Sequence, residues 1–183
     1  MYQQIYQQSC SARPRSQRSL ARMVCHIRAR ELTRNIRGGT MISILDSKRS
    51  LIWHGMFLFL LGLLTGLVEH QFINPRMGLA AHLEGVMNGI FLVALGAVWA
   101  DVRLSPRLRA GAYWSALYGT YVNWGVTSLA AGVGAASLSP ITGAGHTALH
   151  WQETLVTVGF ITVGIAIIAA SVLILWGLRR AAT

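Results

Sequence analysis

The sequence predicts an all-α fold, an integral membrane bundle of four transmembrane helices. Three observations predict it. The chain has 183 residues, of which 53% are hydrophobic and only 12% charged, about half the charge of a soluble domain. Four apolar runs are long enough for a hydrocarbon core that takes about 20 helical residues to cross. Basic residues alternate between the connections, present on one side and scarce on the other, as membrane topology requires.

The first run is LIWHGMFLFLLGLLTGLV (51–68) and the second LAAHLEGVMNGIFLVALGAVWA (79–100). The third, 111–137, is the most polar, because Tyr, Asn, Thr and Ser interrupt it. The fourth covers 154–178. Lys48 and Arg49 precede the first run, Arg76 alone lies in 69–78, and Arg103, Arg107 and Arg109 lie in 101–110. Residues 138–153 hold no Lys or Arg, and Arg179 and Arg180 follow the last run. Both termini and the 101–110 connection are therefore expected in the cytoplasm. Trp53, Trp99, Trp151 and Trp176 fall near run ends, where an interfacial belt is expected. Gly62 with Gly66, Gly85 with Gly89, and Gly132 with Ala136 have the spacing that lets helix backbones approach closely. Four short helices enclose little space alone, so self-association with a site at the interface is expected.

Ten of the sixteen Lys and Arg lie in residues 1–50, which carries much of the net charge of +10. Residues 1–40 form a basic tail read in three ways: a targeting peptide, a basic arm near anionic lipid, or an upstream extension of a chain that truly starts at Met41. The last is the expectation adopted, with a disordered tail and a membrane domain over 41–183. The aromatics of the tail, Tyr2 and Tyr6, stand apart from its arginines, which argues against a nucleic-acid partner. Both cysteines, Cys10 and Cys25, are also in the tail, so the helices offer no thiolate ligand and no iron–sulfur site.

The second run carries the candidate chemistry. His82, Glu84 and Asn88 sit within seven residues of apolar sequence. An ionised side chain at bilayer depth costs about 2.5–3.5 kcal/mol on insertion scales, and such residues face a bundle interior or a site. With about 100° per residue, Glu84 and Asn88 share a face and His82 lies on another. Two arrangements fit. The helix separates two environments, or an oligomer sets His82 of one protomer opposite Glu84 and Asn88 of the next. His82 can ligate a metal or haem iron through neutral imidazole, or simply hydrogen-bond a neighbouring helix. Glu84 in hydrocarbon favours its neutral form and can serve as a general acid, or can make a structural hydrogen bond. His54, in the first run, is a possible second ligand but is expected to reach interfacial water. Trp114, Tyr118 and Tyr121 form an aromatic stripe that suits packing or a neutral aromatic substrate. Gly119, Asn123 and Thr127 form a second face, on which Asn123 needs a polar partner. His146 and His150 make a metal pair only if that stretch is helical.

The stretches WHGMFLFLLGLLTG (53–66), NPRMGLAAHLEGVMNG (74–89), LYGTYVNWG (117–125), ITGAG (141–145), WQETLV (151–156) and LWGLR (175–179) resemble the small bacterial hydroxylaminobenzene mutases. The resemblance covers residues 50–180. It implies conversion of phenylhydroxylamine-type compounds to 2-aminophenols, an intramolecular hydroxyl transfer in nitroaromatic degradation, in a bacterial inner membrane. A more distant resemblance is to styrene oxide isomerase, whose second helix spaces a His and an Asn–Gly as His82 and Asn88–Gly89 are spaced here. That resemblance implies a trimer holding haem b, with His82 as axial ligand, Asn88 on the substrate side, and Asn123 matching a third-helix Asn. The isomerases have an Asp where Gly119 aligns and a functional Tyr where Thr127 aligns. Those departures favour the mutase reading. Glu84, Asn88, Asn123, Tyr121 and Tyr118 are the expected catalytic set. A haem-binding electron-transfer subunit, which would want His54 as a second ligand, and a small transporter are the competing classes.

Overall fold

Proline and glycine punctuate four helices. The computed structural model describes residues 46–179, so the tail, Met41, both cysteines and Arg180 lie outside the described residues. Helix α1 covers residues 46–68 and passes into a 3-10 turn, Glu69–Gln71. Helix α2 is Pro75–Val98, α3 is Pro106–Val133 and α4 is His150–Arg179. No strand occurs among the described residues.

The helices differ from the sequence expectation mainly at their ends. Helix α2 starts at Pro75 rather than 79, because Asn74 Oδ1 accepts from the Met77 N–H at 3.2 Å and Pro75 fits the first helical position. Helix α3 likewise starts at Pro106 rather than 111. It stops at Val133 rather than 137, because Gly134 takes a left-handed φ of 74° and returns its N–H to the Ala130 carbonyl at 2.9 Å. Helix α4 begins at His150 rather than 154 and ends at Arg179, while α2 ends at Val98 rather than 100 and α1 is already helical at residue 46.

Three spans, Asp46–Gln71, Pro75–Val98 and His150–Arg179, are long and apolar enough to cross a membrane. Helix α3 is long enough but more polar. Its Ala112, Ala116, Thr120, Thr127 and Ala130 are buried. Large apolar side chains cover the outside of the bundle, including Leu67 on α1, Met87 on α2, and Ile165, Ile168 and Leu175 on α4. A surface of that kind suits lipid.

Close glycine contacts weld α1 to α2. A Cβ on Gly85 would lie 2.5 Å from Gly62 Cα, and one on Gly89 would lie 2.6 Å from Phe59 N. The expected small-residue packing thus holds for these glycines. It does not hold for Gly132 and Ala136, because a Cβ on Gly132 meets nothing within 4 Å and Ala136 packs on Gly143 in the following loop. Helix α3 packs on both α2 and α4. One apolar cluster joins Leu51, Leu58, Leu92, Leu95, Trp99, Ala116 and Leu117. A second gathers Met77, Ala130, Ala131 and Val156. Trp99 belongs to the first cluster, 1% exposed and beneath the Arg109 guanidinium, rather than to an interfacial belt. Trp53, Trp151 and Trp176 are exposed as expected.

At one end, buried Asn74 ties three segments together. Its N–H donates to the Ala131 carbonyl at 3.0 Å, and its Nδ2 to the Thr142 carbonyl at 2.8 Å. Asn74→Ala removes a helix cap and leaves buried partners unpaired. It is expected to destabilise the fold by about 2 kcal/mol, read as a lower thermal midpoint in detergent, and an unchanged midpoint would contradict that role. Glu153 holds the 134–149 loop to α4, accepting from Ala136 N at 2.9 Å, Ser137 N at 3.0 Å and Ser137 Oγ at 2.6 Å.

Candidate functional site

Between the two apolar clusters lies a polar layer. On α2 it comprises His82, Glu84 and Asn88, and on α3 Thr120, Asn123 and Thr127. The structure settles which way α2 turns them within the chain. His82 faces α1, where its Nδ1 lies 2.8 Å from the Gly62 carbonyl. Glu84 and Asn88 face α3. Glu84 Oε2 lies 2.6 Å from Thr127 Oγ1, and Asn88 Nδ2 donates to the Thr120 carbonyl at 3.3 Å. Within one chain, the helix therefore turns His82 to one neighbour and Glu84 with Asn88 to another.

The Thr127 hydroxyl sits at a branch point. It is 2.6 Å from Glu84 Oε2 and 2.9 Å from the Asn123 carbonyl, yet a hydroxyl has one proton to give. An ionised Glu84 takes that proton, and the Asn123 carbonyl keeps the Thr127 N–H of the helix. A neutral Glu84 can instead donate to Thr127, which then donates to the Asn123 carbonyl, so the contact accommodates either state of the carboxyl. Thr127 was visible in the sequence only as a member of a helix face; its partner on α2 was not. The Asn123 side-chain amide makes no hydrogen bond among the described residues, so its donors and acceptor remain open to a ligand.

His82 is only half-buried, and its ring lies against Gly66, where a Cβ would come within 2.6 Å of Nδ1. A backbone carbonyl only accepts, so Nδ1 is the donor in this contact, and a neutral ring so placed has its lone pair on Nε2. This is the arrangement of a metal-ligating histidine. Among the described residues no three His, Cys, Asp or Glu gather to hold a bare metal ion. The donor set fits a prosthetic group that brings most of its own ligands and asks one imidazole of the protein.

Other sequence candidates lie apart. His54 is partly buried, with its Nδ1 3.0 Å from Tyr121 Oη, which donates to the His54 carbonyl at 3.2 Å. His82 contacts α1 at Gly62 and Gly66, so His54 is eight or more residues away, about 12 Å along the helix. The two imidazoles of one protomer do not bracket a single iron. The aromatic stripe divides three ways. Tyr121 turns to α1, Tyr118 Oη donates to Thr162 Oγ1 on α4 at 3.0 Å, and Trp114 is exposed. Residues 146–149 are not helical, and His146 Nε2 lies 3.1 Å from the Ile73 carbonyl, so the histidine pair does not form. Gly119 is filled by α4: a Cβ there would lie 2.5 Å from Ile167 Cδ1.

A family profile described as styrene oxide isomerase matches residues 47–179. Hydroxylaminobenzene mutase HabB of Ectopseudomonas oleovorans is 46% identical over 134 residues, which cover 73% of this chain and 82% of that protein. Hydroxylaminobenzene mutase HabA of the same organism is 40% identical over 127 residues, 69% of this chain and 94% of that protein. No solved structure matches the chain.

Proposed function

The chain belongs to the styrene oxide isomerase family, and on that premise we propose that this isomerase-type enzyme is a membrane-embedded mutase converting aromatic hydroxylamines to 2-aminophenols. Its identity to two hydroxylaminobenzene mutases over most of each chain supports the substrate class. The observation that carries the mechanism is Glu84, a carboxyl held by Thr127 in the same layer as Asn88 and Asn123.

The reaction moves a hydroxyl from nitrogen to the ortho ring carbon, with no net redox change. Neutral Glu84 protonates the departing oxygen and weakens the N–O bond. The carboxylate that results takes one proton back as the released water adds to the ortho carbon, which returns Glu84 to its starting state, and the proton of that carbon passes to nitrogen to complete the amine. Thr127 holds the acid in place. Asn88 and Asn123 hydrogen-bond the substrate's nitrogen and oxygen. The apolar layers above and below keep out bulk water, which would otherwise trap a cation-like intermediate. Tyr118 and Tyr121 line the approach from either side of α3.

His82 would hold a haem b through Nε2, and the bound haem would supply Lewis-acid chemistry to the reaction. His82 and the Glu84–Asn88 pair point away from each other within one chain. A trimer in which His82 of one protomer meets Glu84 and Asn88 of its partner would bring them to one substrate. All four helices cross the bacterial inner membrane in this reading, with both termini in the cytoplasm.

Epoxide isomerisation is the second reading, favoured by the family profile. Gly119, closed off by Ile167, and Thr127, engaged with Glu84, weigh against it. The separation of His54 from His82 weighs against a two-histidine electron-transfer haem. The deciding experiment incubates the detergent-purified protein with phenylhydroxylamine and no reductant. The expected product is 2-aminophenol, identified by mass and retention time. Conversion of styrene oxide but not phenylhydroxylamine by the same preparation would overturn the mutase reading.

A further inference from the structure

We infer that Gly62 and Gly66 form a built seat for the His82 imidazole, with Gly66 the positioning residue that opens the Gly62 carbonyl to it. The inference rests on His82 being a ligand, but its geometry is independent of that reading.

In an α-helix the carbonyl of one residue accepts the N–H four residues on. The Gly62 carbonyl thus serves Gly66 and has one lone pair left. A side chain at Gly66 would stand beside that lone pair. Glycine leaves the helix surface bare there, and the imidazole fills the space, with Nδ1 at 2.8 Å from Gly62 O. The fit has no slack. A Cβ on Gly66 would lie 2.6 Å from His82 Nδ1 and 3.0 Å from both Cε1 and Cγ. The ring is therefore pressed onto Gly66 and bonded to Gly62 at once, which sets both its rotation and its tautomer.

The two glycines do different work. Gly62 lets the backbones meet, since a Cβ there would be 2.6 Å from Val86 N and 2.7 Å from Gly85 C. Gly66 touches no backbone of α2 among its closest neighbours; all three are atoms of the His82 ring. Its absence of a side chain serves the imidazole and not the helix crossing. The consequence is chemical. A carbonyl on Nδ1–H keeps the proton off Nε2 and raises its donor strength, as outer partners of ligating histidines do.

The test uses the full chain in detergent with 15N-labelled histidine, and NMR reads the tautomer without any ligand. The His82 signal is identified by its loss in His82→Gln. Wild-type His82 is expected as the Nδ1–H tautomer. Gly66→Ala is expected to disturb that tautomer and to weaken haem binding about 10–100-fold in an absorbance titration. Gly132→Ala is the control, because a Cβ there meets nothing within 4 Å, and it should change neither. Wild-type His82 found as the Nε2–H tautomer overturns the seat, whether or not Gly66→Ala folds. So does a Gly66→Ala protein with unchanged tautomer and unchanged haem affinity. A wild-type protein that shows the expected tautomer but binds no haem sinks the ligand reading and leaves the seat standing.

Discussion

Glu84→Gln is expected to lower turnover of phenylhydroxylamine by about 10²–10⁴-fold, the range of general acid catalysis, with the fold intact. The amide is close to isosteric with a neutral carboxyl. Its N–H can donate to Thr127 Oγ1, which can still donate to the Asn123 carbonyl, so the contacts at 2.6 Å and 2.9 Å keep their donors and acceptors. What the variant loses is a proton it can release. The fall should appear in kcat more than in KM, because the acid acts in the transition state. An unchanged thermal midpoint with the rate lost separates chemistry from stability. Full activity in Glu84→Gln would remove Glu84 from the mechanism and leave it a structural partner of Thr127.

His82→Ala is expected to abolish the haem absorbance and to cut turnover by more than about 100-fold. Loss of an outer partner of a ligating histidine already costs 10–100-fold, and loss of the only ligand exceeds that. The substitution opens a slot against Gly66, where the ring of the native side chain lies. Free imidazole should enter that slot and restore part of both signals. Rescue of absorbance and activity together argues for ligation. A His82→Ala protein that retains its haem would show that another group binds the iron. Among the described residues, His54 is already engaged with Tyr121 and lies far along α1.

Much of this protein could be read from local sequence. Asn74–Pro75, Ser105–Pro106 and Gly134 bound helices by rules that need only neighbouring residues, although the expected ends missed them by four or five positions where hydropathy, not capping, was followed. The pairing of Glu84 with Asn88, and the separation of His82 from both, follow from 100° per residue alone. The partners did not follow. Nothing in the spacing of Thr127 says that it meets Glu84, or that Trp124 Nε1 donates to Thr65 Oγ1 on α1 at 3.1 Å. Nor does the position of His54 along its helix reveal that it meets Tyr121 on another.

The sequence by itself determined the class of fold, the number and rough extent of the helices, and which segments carry polar side chains among apolar ones. These depend on hydropathy and helical period, which are properties of single segments. Only the tertiary structure decided what each polar group touches. A glycine pattern says that some backbone comes close, but not whether the space goes to another helix or to a histidine ring. Gly62 and Gly132 look alike in sequence, yet one meets α2 and the other open space. That difference arises from rotation and register between helices, which are set by the packing of all side chains together and are written in no one segment.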